Sequence, residues 1–388
     1  MIWWWAWGGI EFATWAWYVG QAFVGIRKLP DLTTEPWISA AHDRTHWPSL
    51  LVVVPARNEQ EDIAHCLESL IRSNYPALHV IAVDDRSTDT TGGIMASLAA
   101  AHPERLTVLH VSDLPEGWLG KTHAMWLAAQ KRVSDYILFT DGDVFFHPDA
   151  LARAVHCAEV QRADHLVLFP NLITKSIGER MMISLFQTLF IFEHRAWKAS
   201  DPKSKDHIGV GAFNLVRRSA YDAIGTYQRL RLAILDDMKL GERIKHAGLR
   251  QRVAYGRDLV RVHWLEGTYG IIRGLTKNAF AVANFRVSVL LFQIVGMLYI
   301  LLGPYAGALL APGWAKAPFL VTIALIWSLY AGISLASDIG ALYMFTHPLG
   351  ALLFIYAMIR STVITLARGG IEWRGTRYSL AEIRRSQT

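Results

Sequence analysis

Between residues 50 and 286 short apolar runs alternate with amphipathic ones. "LLVVVPA" (50–56), "HVIAVDD" (79–85), "RLTVLHV" (105–111) and the run 136–140 read as strands, the first of them apolar enough to be buried on both faces. Between them, 59–73, 91–101 and 121–132 carry helical spacing. Strands alternating with helices predict an α/β domain, a mostly parallel sheet with helices on both faces. Ligands in such sheets collect at the carboxyl ends of the strands.

Outside this region the pattern turns continuously apolar. Residues 2–24 are long enough to span a bilayer and are followed at once by Arg27 and Lys28, although Glu11 in the middle is costly there. A cleaved signal peptide fits less well, because a basic leading region is missing and tryptophan is abundant. Apolar stretches return at 287–311, 317–337 and about 341–366, the last interrupted by His347-Pro348. The helix expected over 180–199 is either core or an interfacial element. The expected organisation is an N-terminal transmembrane anchor (1–26), a cytoplasmic catalytic domain (27–286), a C-terminal transmembrane region (287–367) and a basic tail (368–388). If the anchor enters inward, three later crossings leave the tail outside, whereas Arg360, Arg368, Arg374, Arg377, Arg384 and Arg385 favour the inside. The piece broken at His347-Pro348 is the candidate for a re-entrant or interfacial segment.

Composition sharpens this division. The chain of 388 residues is 52% apolar and 19% charged with 15 Trp, more apolar than a soluble domain and consistent with membrane segments. Two cysteines, Cys66 and Cys157, exclude a disulfide framework and have no metal-like spacing. The net charge of +6 is interleaved with acids and apolar residues, which argues against a nucleic-acid partner and for an anionic membrane surface.

Four polar clusters fall at element ends. "VPARNE" (54–59) and "VDDRSTDT" (83–90) close the first two strands, "TDGDV" (140–144) closes a later one, and "LDDMKLGERI" (235–244) opens a helix. A D-x-D at a strand end, here Asp141 and Asp143, presents two hard carboxylates to Mg²⁺ or Mn²⁺ and leaves room for phosphate oxygens. The metal makes a diphosphate a better leaving group. Pro55, Ala56, Arg57, Glu59, Asp84 and Asp85 would line the pocket for base and ribose. Asp237, beside Asp236, would take a proton from an acceptor hydroxyl. Lys121, at a helix start after Gly120, suits a phosphate or is simply solvated. His263 is either a third metal ligand or a neutral structural histidine. Gly209 and Gly211 bring backbone close to an acceptor pocket or form an ordinary turn.

These clusters, with "GVGAFNLVRRSAY" and "LDDMKLGERIKHAG", make residues 50–286 resemble the processive and lipid-directed family-2 glycosyltransferases, with their A-type nucleotide-sugar-binding fold. The anchor, "GWLGKTHAMW" (117–126) and "WRGTRY" (373–378) look like the ceramide-glucosyltransferase-like subgroup, near which the hopanoid- and carotenoid-associated bacterial enzymes fall. The resemblance implies an inverting transfer from a UDP-type donor to a lipid acceptor at the cytoplasmic face of a bacterial membrane. Asp84 or Asp85 matches the uracil-contacting acid, Asp141 with Asp143 the metal pair, and Asp237 the base. Asp236 stands where the family usually has Glu. "RGLTKN" (273–278) lacks the Q-x-x-R-W of processive members, which favours a single transfer, with Arg273 or Lys277 left to meet the diphosphate.

Two rivals remain beside this reading. "ILFTDGDVFF" also fits a haloacid-dehalogenase-like phosphatase with Asp141 as nucleophile, although that motif should end a domain's first strand. A membrane scaffold that has lost its chemistry would be expected to lack one of the four clusters.

Overall fold

A computed structural model describes residues 1–42, 46–335, 337–373 and 375–386. The chain packs into two units: residues 28–173 with 195–264, and residues 1–27 with 174–194 and 265–388.

The first unit is built on an eight-stranded sheet of β1 (Leu50–Ala56), β2 (Leu78–Asp85), β3 (Leu106–Val111), β4 (Tyr136–Phe139), β5 (Val144–Phe146), β6 (His165–Leu172), β7 (Asn214–Arg217) and β8 (Gln251–Val262). Its order is β3-β2-β1-β4-β7-β6-β8-β5. The run β3-β2-β1-β4 is parallel, as the alternating pattern predicts, while β7 runs against β4 and β6, and β5 runs against β8. All seven residues of β1 are buried. Val52, Val54, Val80, Ala82 and Leu138 face one layer of the core, and Leu51, Val53, Ile81, Val83, Ile137 and Phe139 the other. This is the period-2 alternation of a sheet covered on both sides. The helix Gly120–Lys131 lays Ala124, Met125, Ala128 and Ala129 on the second layer. The helix expected over 59–73 spans Ile63–Ile71, because residues 58–60 hydrogen-bond instead to the segment after β2: Asn58 N–H to Ser87, Glu59 N–H to Thr91 Oγ1 and Gln60 N–H to Asp89.

The second unit is helical. Its first helix is Ile2–Ile26, and Val287–Leu310, Gly313–Ser334 and Ala341–Ala367 are, among the described residues, the three helices long and apolar enough to cross a membrane. By length and composition the chain is membrane-associated. Pro348 does not interrupt the last of them: it occupies the first turn of His347–Ala367, where its missing N–H has no intrahelical partner to lose. A π-helical turn, Leu298–Leu302, lies inside the first of the three. Trp15 Nε1 donates to Ile300 O at 3.0 Å and His347 Nε2 contacts Leu301 O at 3.3 Å. Glu11 is fully buried against Gly303, where a Cβ would lie 2.5 Å from its Oε1.

The boundaries differ from the sequence expectation in two places. The helix placed at 180–199 is Ile177–Glu193 and belongs to the helical unit, capped by Ser176 and Glu179. The helical unit also begins at 265 rather than after 286, because Gly267–Val282 packs its apolar face on His347–Ala367. The basic tail is folded, as a hairpin Gly370–Trp373 with Thr376–Ser379 and a helix Leu380–Ser386.

Candidate active site

β1 is flanked by β2 and β4, so the acids ending those two strands stand on either side of it at one edge of the sheet. At β2 the pleat separates its two acids. Asp84 accepts from Ser87 N–H at 3.1 Å and lies 3.1 Å from His110 Nδ1. Asp85 points to the opposite face, buried, and takes a bidentate pair from Arg86, Nε at 2.8 Å and the terminal nitrogen at 3.1 Å. It also abuts the start of the helix Gly120–Lys131 so closely that any side chain at Gly120 would collide with its carboxylate. Both acids are thus neutralised or hydrogen-bonded by their neighbours. Ala56 is paired in register with Asp84, and Pro55 with Val83, both buried beside this site.

The acids beyond β4 are arranged differently. Thr140 anchors the turn through its hydroxyl to Ala212 O at 2.8 Å, and Gly142 packs on Ala56 and Glu59. Lys121 Nζ lies 2.8 Å from Asp141 Oδ1 and 3.4 Å from Asp236 Oδ1. Gly211 closes the pocket, its absent Cβ falling 2.5 Å from Asp141 Oδ2 and 3.7 Å from Lys121 Nζ. Gly209 packs directly on the backbone of Asp237, which no larger residue permits. Asp237 sits in the first turn of the helix Asp236–His246, and its Oδ1 accepts from Met238 N–H at 2.7 Å. Three carboxylates, Asp141, Asp236 and Asp237, therefore act on Lys121, while Asp143 lies beside Asp141, Glu59 and Asp62. Asp143 Oδ1 and Asp236 Oδ2 are sealed from solvent without a hydrogen-bond partner.

The electrostatics follow from that imbalance. Burial pushes Asp236 and Asp237 upward, and Lys121 only partly offsets it. Asp143 is raised by burial and then by Asp141 and Glu59. Burial works against the charge of Lys121, but Asp141, Asp236 and Asp237 outweigh it and hold the amine above its ordinary range.

A buried, unpartnered carboxylate oxygen beside a second carboxylate suits a hard divalent cation, so Asp141 and Asp143 fit such an ion. Among the described residues no three His, Cys, Asp or Glu side chains gather as a metal-holding group, which leaves further ligands to phosphate and water. His263 follows β8, whose register with β5 pairs Val262 with Val144, so its backbone continues opposite Asp143. It does not complete a three-residue group with the two acids. Arg273 is exposed on the helix Gly267–Val282 of the helical unit; Lys277 lies on the same helix with its side chain outside the described part.

Of the acids singled out in the sequence, the fold brings Asp141 to Asp236 and Asp237 through Lys121 and sets Asp143 beside Asp141; the sequence reading missed the partners. Arg86 and His110 are the groups that satisfy the β2 acids, and Lys121 meets two carboxylates rather than solvent. A basic residue directly after two acids was the available signal for Arg86. Nothing local links Lys121 to Asp236.

Residues 51–225 match the family model described as Glycosyl transferase family 2. The 4,4'-diaponeurosporenoate glycosyltransferase of Staphylococcus aureus (strain USA300) is 27% identical over 342 residues, covering 86% of this chain and 89% of its own length. Among solved structures, the mannosyltransferase PcManGT from Pyrobaculum calidifontis in complex with GDP-Man and Mn²⁺ is similar with a TM-score of 0.53 at 19% identity, covering 92% of this chain and 96% of that one, which is a likeness of fold.

Proposed function

For this chain, a glycosyltransferase with a family-2 domain of A-type fold, we propose an inverting transfer of one sugar from a nucleotide-diphosphate sugar to the hydroxyl of a lipid. The observation that carries the reading is the gathering of Asp141, Asp236 and Asp237 around Lys121, with Asp143 beside Asp141. Asp141 and Asp143 would hold Mg²⁺ or Mn²⁺, which when bound neutralises charge on the leaving diphosphate. Arg57, Glu59, Asp84 and Asp85 would receive the nucleoside, of UDP type. Lys121 is the residue that would meet phosphate. Asp237, whose carboxyl is raised by burial, is better matched to proton abstraction near neutral pH than an exposed aspartate would be. The lipid acceptor is supported by the three long apolar helices and by the relative named for 4,4'-diaponeurosporenoate. The catalytic unit would face the cytoplasm.

That relative's name carries a carboxylate suffix, which favours a second acceptor class. A carboxylate arrives with no proton to lose, and Asp237 would then orient the acceptor rather than deprotonate it.

The test is a screen of nucleotide sugars against membrane lipid extracts, with the product identified by mass spectrometry. Asp237→Asn should keep UDP binding and lose transfer to hydroxyl lipids, and normal turnover by this variant would remove Asp237 from the mechanism. Transfer to a carboxylate lipid by the same variant would favour the second class. Hydrolysis of p-nitrophenyl phosphate with no use of UDP-sugars would instead support a phosphatase, against which stands the position of the D-x-D after the fourth strand.

A further inference from the structure

We infer that Lys121 is a resident counter-ion of the carboxylate pocket, one that keeps a divalent cation from binding Asp141 until a nucleotide diphosphate arrives. The inference rests on the proposed metal site and deepens it. Lys121 Nζ is paired with Asp141 Oδ1 at 2.8 Å, on a carboxylate that would help to hold a cation at the D-x-D. It also reaches Asp236 Oδ1 at 3.4 Å, so it has a second carboxylate to hold when the first is taken. Its ammonium stands in the same pocket as the position a Cβ of Gly211 would occupy, 3.7 Å away, and the lysine side chain is only 19% exposed. Lysine and metal therefore compete for one carboxylate.

The competition is lopsided in a useful way. Two cations near Asp141 repel each other in a poorly solvated pocket, which opposes binding of the metal alone. A diphosphate carries enough negative charge to satisfy both the metal and the lysine, so metal and nucleotide enter together. The lysine left on phosphate and Asp236 then lies between the donor and the acid pair at the start of the helix Asp236–His246. Donor binding and the charge state of the acceptor side become coupled through one side chain, and such coupling is reciprocal.

Mn²⁺ binding by the full-length protein in detergent, followed by electron paramagnetic resonance with and without UDP, tests this. In the unaltered protein Mn²⁺ alone should bind weakly and UDP should strengthen it. In Lys121→Met, Mn²⁺ alone should bind at least about tenfold more tightly, because a competing unit charge about 4 Å away is gone. The strengthening by UDP should shrink. Arg218→Met removes the same charge from an ion pair with Asp222 outside this pocket and should change Mn²⁺ affinity less than about twofold. Should Lys121→Met fail to fold, Asp236→Asn serves with the opposite sign: it leaves Lys121 to Asp141 alone and weakens Mn²⁺ binding. Unchanged or weaker Mn²⁺ affinity in Lys121→Met, or unchanged affinity in Asp236→Asn, overturns the inference. If Mn²⁺ binds in no state, with or without UDP, the metal reading itself falls and takes this one with it.

Discussion

Two pairs of acids end two strands on either side of β1, and they are kept in opposite conditions. Asp84 and Asp85 are provided for on the spot, by Ser87, His110 and Arg86. Asp141 shares Lys121 with Asp236, Asp143 lies beside Asp141 and Glu59, and one Asp143 oxygen has no hydrogen-bond partner. Folding tolerates the second arrangement only at a cost, since a buried polar atom without a partner loses about 1–3 kcal/mol. The first pair has its partners in neighbouring side chains and backbone; in the second, a buried carboxylate oxygen is left for a cation to meet.

The largest effect expected from this contrast is on turnover. Asp141→Asn should lower kcat by about 10²–10³, the scale of losing one electrostatic group at a developing charge, whereas Asp85→Asn should act mainly on donor KM. Chelation with EDTA should reproduce the Asp141 effect and Mn²⁺ or Mg²⁺ should reverse it; full activity without divalent metal would break the contrast at its root. Stability should move the other way. Asp85→Asn strands Arg86 and should destabilise by about 1–3 kcal/mol, while Asp143→Asn relieves an unpaired charge and should leave thermal unfolding unchanged or raised in metal-free buffer. Equal losses in both variants would mean that the two pairs do not differ.

A matched pair of small changes is a finer probe. Gly120→Ala pushes a methyl into Asp85, and Gly211→Ala pushes one toward Asp141. The first should raise donor KM and the second should lower kcat, each by roughly tenfold, read from initial rates. The smallest effect is on pH dependence and must be separated from the acids. His165 is buried between Asn214 Oδ1 at 3.1 Å and Gln251 Nε2 at 2.7 Å, and burial pushes it down to about 4. The unfolded chain therefore takes up that proton first. The stability His165 contributes is complete above its ordinary value near 6.5 and is lost as pH falls toward 4. Denaturant melts of His165→Gln should lose that slope; an unchanged profile would assign it to other groups.

The parallel half of the sheet was legible because its strands are apolar and most of them are long, and the acids were legible because they stop those strands abruptly. The antiparallel half was not. Val144–Phe146 is three residues hidden directly behind the D-x-D, and Asn214–Arg217 is four residues between turns. Such lengths carry no period. Lys121 was visible as a lysine at a helix start, but its partners lie 20 and 115 positions away and only the fold brings them near. Gly267–Val282 packs with the helical unit, although it is less apolar than the helices after it and its pattern runs on from the sheet-bearing region. His347-Pro348 looked like a break, a proline read as an end where it marks a beginning.

The hydrogen bond from Trp15 to Ile300 joins residues 285 positions apart, across the whole of the sheet-bearing unit. On a ribosome adding about 5–20 residues per second, that is roughly 15–60 seconds of synthesis. Throughout that interval the first helix exists without Gly303 beside Glu11 and without a carbonyl for its indole. The helical unit is therefore completed after the sheet-bearing unit, although its first helix is made before that unit. A chain cut short before the π-helical turn should carry a finished sheet and an orphaned first helix, which makes that helix a natural place for quality control to inspect.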